Sequence, residues 1–195
     1  TREGGVMRLE RLIGEINDEM YQKIVENRSV KDTDARGTAQ IVGLSAIKYG
    51  DLSNQASKDY VFDVERFTSF EGNTGPYILY TIVRTKSILG KYKEEGNELK
   101  KGALLAPKSD SEKALMLSVS RFNGVVENAF EEKAHKICAY IYELANEFNH
   151  FYHETKILSE QDEARKASYL ALLDLVREVL ETCIDLLGFS APERM

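Results

Sequence analysis

Proline is nearly absent from this sequence. The three among 195 residues stand at positions 76, 107 and 192, so most of the chain meets no obligatory helix breaker. Cysteine is as scarce: Cys138 and Cys183 lie 45 positions apart inside apolar, helically spaced stretches and form no CxxC. That excludes a zinc framework or disulfide scaffold and leaves buried free thiols as the reading. Long hydrophobic runs are missing too. The run from Tyr77 to Val83 falls far short of the roughly 20 residues that would cross a bilayer. No charged-then-apolar leader opens the sequence, and a cytoplasmic protein with no membrane partner is expected. Positive charge is outweighed, with 26 Lys and Arg against 32 Asp and Glu and a net charge of −6, which excludes a protein coated in positive charge. There is no P-loop, no GxSxG elbow and no GxGxxG fingerprint. Gly4 and Gly5, in Thr1-Arg2-Glu3-Gly4-Gly5, match no dinucleotide loop, since adjacent glycines do not have the GxGxxG spacing.

What is present is helical patterning in a chain of globular composition, 43% hydrophobic and 30% charged. Leu9, Leu12, Ile13, Ile16, Met20 and Ile24 recur at three and four and paint one face of a first helix. A polar stretch over 27–38 reads as a loop, followed by a second helix through Ile41, Leu44, Ala46 and Ile47 that ends near Gly50 and Asp51. The mixed aromatic and acidic stretch 59–73 fits no periodicity. Gly72, Gly75 and Pro76 then give a turn and a helix expected over 76–87. Between Gly90 and Pro107 the hydrophilic, lysine-rich sequence predicts a long, mobile surface connection. Ser109 and Glu112 have capping-box spacing ahead of Leu115, Leu117, Val119 and Phe122. Helices are expected at about 124–131 and 135–152. A long one after Ser159 repeats Tyr169, Leu172, Leu173, Val176, Leu180, Cys183, Ile184 and Leu187 until Gly188 stops it. The class is all-α, and four or five antiparallel helices in the second half bury these stripes as a bundle.

Metal chemistry is the sharpest enzymatic alternative. Glu132 with His135 and Glu147 with His150 form two ExxH motifs of the kind that build a di-metal carboxylate bundle. On one helix their 15-residue separation is about 22 Å, too far for two bridged metals. His150, His153 and Glu154 find no third ligand group of comparable density, so no metal site and no catalytic residue is assigned. The distribution of charge is more informative than its sum. Residues 76–108 carry 7 basic and 3 acidic side chains, whereas residues 109–195 carry 9 against 16. In the basic segment Arg84, Lys86, Lys91 and Lys93 stand beside Tyr77, Tyr80 and Tyr92, the mixture of cations and π-faces that suits single-stranded nucleic acid. Tyr77, Tyr80 and Arg84, at i, i+3 and i+7, share one helical face.

Several longer segments are distinctive. Asp59-Tyr60-Val61-Phe62-Asp63, then Ser69-Phe70-Glu71-Gly72-Asn73-Thr74-Gly75-Pro76-Tyr77 with Tyr80 and Arg84 after it, closely resemble the passage from catalytic module to anticodon-binding domain in arginyl-tRNA synthetases. Tyr140-Ile141-Tyr142-Glu143-Leu144-Ala145, Phe148-Asn149, Phe151-Tyr152 and the stretch from Leu186 to Met195 resemble that family's C-terminal helical domain in the same order. Thr1-Arg2-Glu3-Gly4 resembles the residues just after the Lys-Met-Ser part of the family's signature loop, and Val6 to Leu12 the strand and helix beyond them.

The resemblance implies a short helical remnant of the catalytic module over 1–72, with the stem-contact helices, and an anticodon-binding bundle over 73–195. It implies tRNA(Arg) as partner, with an upstream catalytic domain of the same chain. ATP with magnesium would serve the parent arginine-tRNA ligase; no cofactor and no activity are expected in this fragment alone. Tyr77 is expected to stack on an anticodon-loop base, and Tyr80 and Arg84 to line the pocket for the middle base. Tyr152 faces the loop from a neighbouring helix, and Met195 closes the pocket partly through its main chain. The sequence departs from the family pattern at Ile78-Leu79, in place of Leu-Gln, and at Thr81-Ile82-Val83, in place of an Ala-His-Ala-like run. The alternative from another class is an all-helical protein-interaction module whose Tyr and Arg stripe packs internally.

Overall fold

The computed structural model describes residues 8–26 and 32–195, which form eight helices and, among the described residues, no strand. They are α1 (Leu9–Glu26), α2 (Asp32–Leu52), α3 (Val64–Phe67), α4 (Gly75–Glu94), α5 (Asp110–Ser120), α6 (Phe122–Glu132), α7 (His135–Glu154) and α8 (Glu163–Leu186). No helix among the described residues is long and apolar enough to cross a membrane. The all-α expectation holds. The signature-loop resemblance of Thr1–Gly4 and the start of the expected strand at Val6 lie outside the described residues.

α4 is the centre of the arrangement, packed against α2, α7 and α8. Its start is fixed by Thr74, whose side chain accepts from the Tyr77 N–H at 3.2 Å, with Pro76 in the first turn. Gly75 lets α4 lie directly on α2, since a Cβ there would collide with the Ser45 carbonyl group. The helix then runs two turns beyond the expected end at Ser87. Gly90 costs about 1 kcal/mol in a helix, but Ile88 and Leu89 are buried and Tyr92 packs on the core, and this burial outweighs it. Ile78, Leu79, Ile82 and Val83, where the sequence departs from the family pattern, are all buried core positions.

The connection expected to be a mobile surface stretch is both shorter and tied down. After α4 it follows α8: the Leu105 N–H donates to Ser168 Oγ at 3.0 Å, and Arg165 donates to the Ala106 carbonyl at 2.8 Å. Ser109 caps α5 by accepting from the Glu112 N–H, and the buried Glu112 carboxylate accepts from the Lys108 N–H at 2.7 Å and faces Arg165. α8 ends in a Schellman turn, with Gly188 at φ +80°, its N–H bonded to the Asp185 carbonyl and that of Phe189 bonded to Ile184.

Three other expectations shift. α2 begins at Asp32, so 32–38 is helical rather than loop, and Ala35 and Ala39 are buried on its face. Of the first helix's stripe, Ile16, Met20 and Ile24 are fully buried, whereas Leu9 and Ile13 face solvent, as do Leu44 on α2 and Leu117 on α5. The unassigned stretch contains α3, capped by Asp63 and anchored by the buried Phe67.

A single core runs across residue 73. The Tyr49 hydroxyl of α2 lies 2.6 Å from Asn73 Oδ1 and 2.9 Å from the Cys138 carbonyl on α7. Both cysteines are free and buried, and burial pushes each thiol up to about 12.

Candidate nucleic-acid interface

Residues on α4 and α7 converge on one guanidinium. The helical register of α4 places Tyr77, Tyr80 and Arg84 along one face, while α7 presents Asn146, Asn149 and Tyr152 opposite. Arg84 lies over the Tyr80 ring at 4.7 Å and over the Tyr152 ring at 5.1 Å. Its Nη1 donates to Asn149 Oδ1 at 2.5 Å and its Nη2 to the Tyr80 hydroxyl at 3.1 Å. Each of these partners is neutral. The arrangement orients a full positive charge without cancelling it, at a surface where Tyr80 keeps 40% of its area exposed.

Tyr77 sits deeper. Its hydroxyl donates to Asn146 Oδ1 at 2.7 Å and accepts from Asn149 Nδ2 at 2.9 Å, and its ring meets Tyr142 edge-on at 5.8 Å. Burial raises the Tyr77 phenol above its ordinary value, opposed by the Asn149 hydrogen bond and the charge of Arg84. It remains neutral at physiological pH. Tyr152 stacks on Phe148 at 6.0 Å, which holds its ring beneath Arg84.

Four of the five expected site residues are therefore brought together. Met195 lies round the helix from them, in a cleft of about 550 Å³ with Val83, Lys86, Ser87 and Gly90 of α4. The tail that carries it is anchored by buried Phe189 and Pro192, by Lys48 donating to the Gly188 carbonyl at 2.6 Å, and by Lys86 on Glu193 at 2.8 Å.

The basic segment is less free than its composition suggests. Lys86 is shared between Glu181 at 3.1 Å and Glu193, and Lys101 pairs with Glu178 at 3.2 Å. Lys91 and Lys93 are exposed. A second cleft, of about 530 Å³, is lined by Asp63, Glu65 and Glu71 with one arginine, Arg66, and its charge disfavours phosphate. Among the described residues no three His, Cys, Asp or Glu could share a metal ion. His150 instead pairs with Glu154 at 3.2 Å, and the Glu132 side chain lies outside the described residues.

A family model described as the DALR anticodon binding domain matches residues 78–195, more than half of the chain. The chain belongs to the DALR anticodon binding domain family. A second model, the catalytic domain of class I tRNA synthetases (R), matches residues 1–64. An arginine-tRNA ligase of Agathobacter rectalis is 61% identical over 204 residues, covering all of this chain and 34% of the relative; one of Alkaliphilus oremlandii is 54% identical over 196 residues, covering 33% of that protein. The chain thus spans about a third of the length of the curated relatives it matches. Among solved structures, the arginyl-tRNA synthetase of Thermus thermophilus superposes with a TM-score of 0.87 at 27% identity, covering 98% of this chain and 33% of that one. The Plasmodium falciparum enzyme gives 0.83 at 26% identity, covering 97% of this chain and 34% of that one.

In this DALR domain three polar residues complete the site that sequence reasoning left out: Asn146, Asn149 and Thr81. Asn149 Nδ2 also approaches Thr81 Oγ1 at 3.3 Å, and Thr81 donates back to the Tyr77 carbonyl at 3.1 Å. The one signal available was spacing. Asn149 stands three residues before Tyr152 on a helix whose apolar positions place both at the edge of the buried stripe.

Proposed function

We propose that this chain reads the anticodon of tRNA(Arg) as the C-terminal part of an arginine-tRNA ligase. The longer chain, through its upstream catalytic domain, attaches arginine to tRNA with ATP and magnesium; residues 1–72 are the end of that catalytic module and residues 73–195 the anticodon-binding bundle. The reading includes a cytoplasmic location. No ATP chemistry is assigned to residues of this chain, which carry no HIGH-like motif.

The observation that carries the proposal is the Arg84 guanidinium held between two tyrosine rings by neutral partners only. A charge so placed can read the hydrogen-bonding edge of an unstacked base, while exposed Tyr80 and half-buried Tyr77 and Tyr152 offer aromatic surface. Stacking on such rings contributes about 1 to 3 kcal/mol per base. Met195 lines a separate cleft round α4 with Val83, Lys86, Ser87 and Gly90, and its main chain is proposed as a further contact for the anticodon loop.

The test compares affinity for tRNA carrying an arginine anticodon with affinity for the same tRNA altered at the middle anticodon base. Tighter binding of the first is expected; equal affinities would overturn the reading.

A further inference from the structure

We propose that Asn149 is the positioning residue of this interface: its single amide group sets the orientation of both Arg84 and Tyr77. The inference rests on the anticodon reading above for its consequence, though not for its geometry.

The direction of every hydrogen bond in the network is set by one fact. A guanidinium only donates, so the atom facing Arg84 must be Oδ1 of Asn149, and Nδ2 is thereby turned toward Tyr77 and Thr81. The Tyr77 hydroxyl must then accept from Asn149, and its own hydrogen goes to Asn146. No acid takes part in this chain from Arg84 to Asn146. Asn149 comes from α7, 65 and 72 positions along the sequence from the two α4 residues it fixes.

Base reading depends on where the donors of Arg84 point, whereas attraction to phosphate depends only on its charge. Loss of the Asn149 amide leaves the charge in place and frees its direction. Discrimination between bases should therefore fall while general affinity persists. A residue that merely supports the fold would weaken both tRNAs by the same factor.

The experiment measures dissociation constants of the full 195-residue chain for tRNA with an arginine anticodon and for its middle-base variant. The proteins are the unmodified chain, Asn149→Ala, Asn149→Asp and Arg84→Ala. For Asn149→Ala the ratio of the two constants should fall about tenfold, with the affinity for the altered tRNA nearly unchanged. Asn149→Asp keeps an oxygen against Arg84, so it should retain most of the ratio while lowering affinity for both tRNAs through its added charge. Equal weakening of both tRNAs by Asn149→Ala, or an Asp variant as indiscriminate as the Ala one, would overturn the proposal.

A tRNA-independent measurement separates this inference from the anticodon reading. The guanidinium NMR resonances of Arg84 should show restricted rotation in the unmodified chain and averaging in Asn149→Ala; unchanged spectra would overturn the positioning role. Averaging without any base discrimination in the unmodified chain, or an Arg84→Ala variant with an unaltered ratio, would instead count against the anticodon reading alone.

Discussion

Individual side chains in this protein divide sharply into those that hold α4 in place and those that face outward from it. Gly75 belongs to the first kind. Any side chain there must displace the Ser45 backbone, so Gly75→Ala should destabilise the fold by about 1 to 3 kcal/mol, read as a lowered melting temperature. Tyr77 faces outward but is braced from behind by Asn146 and Asn149. Its replacement by alanine should weaken tRNA binding by about 1 to 3 kcal/mol with helicity by circular dichroism little changed; a collapse of the fold would identify Tyr77 as core instead. The shared face of Tyr77, Tyr80 and Arg84 was legible in the sequence because helical spacing alone produces it. The contacts of Asn149 were not, because spacing puts it at the edge of the α7 stripe but does not name partners that lie 65 to 72 residues away.

At the scale of helices, periodicity located the elements better than it bounded them. α8 was legible throughout, since its apolar stripe is covered by neighbouring helices and Gly188 takes the positive φ that ends it. α4 was read too short. Gly90 suggests a stop, and only tertiary burial of Ile88, Leu89 and Tyr92 carries the helix on to Glu94. The reverse error occurs on α1, where an apolar stripe drawn from spacing is buried at Ile16, Met20 and Ile24 but exposed at Leu9 and Ile13. Amphipathic spacing states which face is apolar, not how far along the helix a partner covers it. The end of α8 yields its own prediction. Gly188→Ala would force alanine into left-handed backbone and push its Cβ against the Lys48 amine at 2.5 Å, a flexible end that can move. A loss of about 1 to 2 kcal/mol is expected, seen as a lower denaturation midpoint with an unchanged slope.

For the molecule as a whole, the continuous core across residue 73 makes independent melting of the two halves unfavourable. Denaturant unfolding should give one transition, coincident by circular dichroism and tyrosine fluorescence; two separated transitions would show that the halves fold separately. Alkali should destabilise this fold progressively. Cys138 and Cys183 are raised from 9.0 to about 12 by burial, and Tyr49 is raised by the same cause. The unfolded chain therefore loses these protons first, so stability from these thiols is complete below about pH 9 and is lost as pH rises toward about 12, measurable as a falling melting temperature. Lys86 and Lys101 are engaged by glutamates, and residues 109–195 around the basic segment carry 16 acidic side chains against 9 basic, so the net attraction for phosphates is weak. The logarithm of tRNA affinity should fall with the logarithm of salt at a slope of about −2 or shallower, corresponding to roughly three or fewer phosphate contacts. The long sequence separation between α4 and α7 has a consequence in time. At a synthesis rate of about 5 to 20 residues per second, Tyr77 and Arg84 are made roughly 3 to 14 seconds before Asn149, so the proposed reading surface cannot assemble until the ribosome has moved well past the helix that carries most of it.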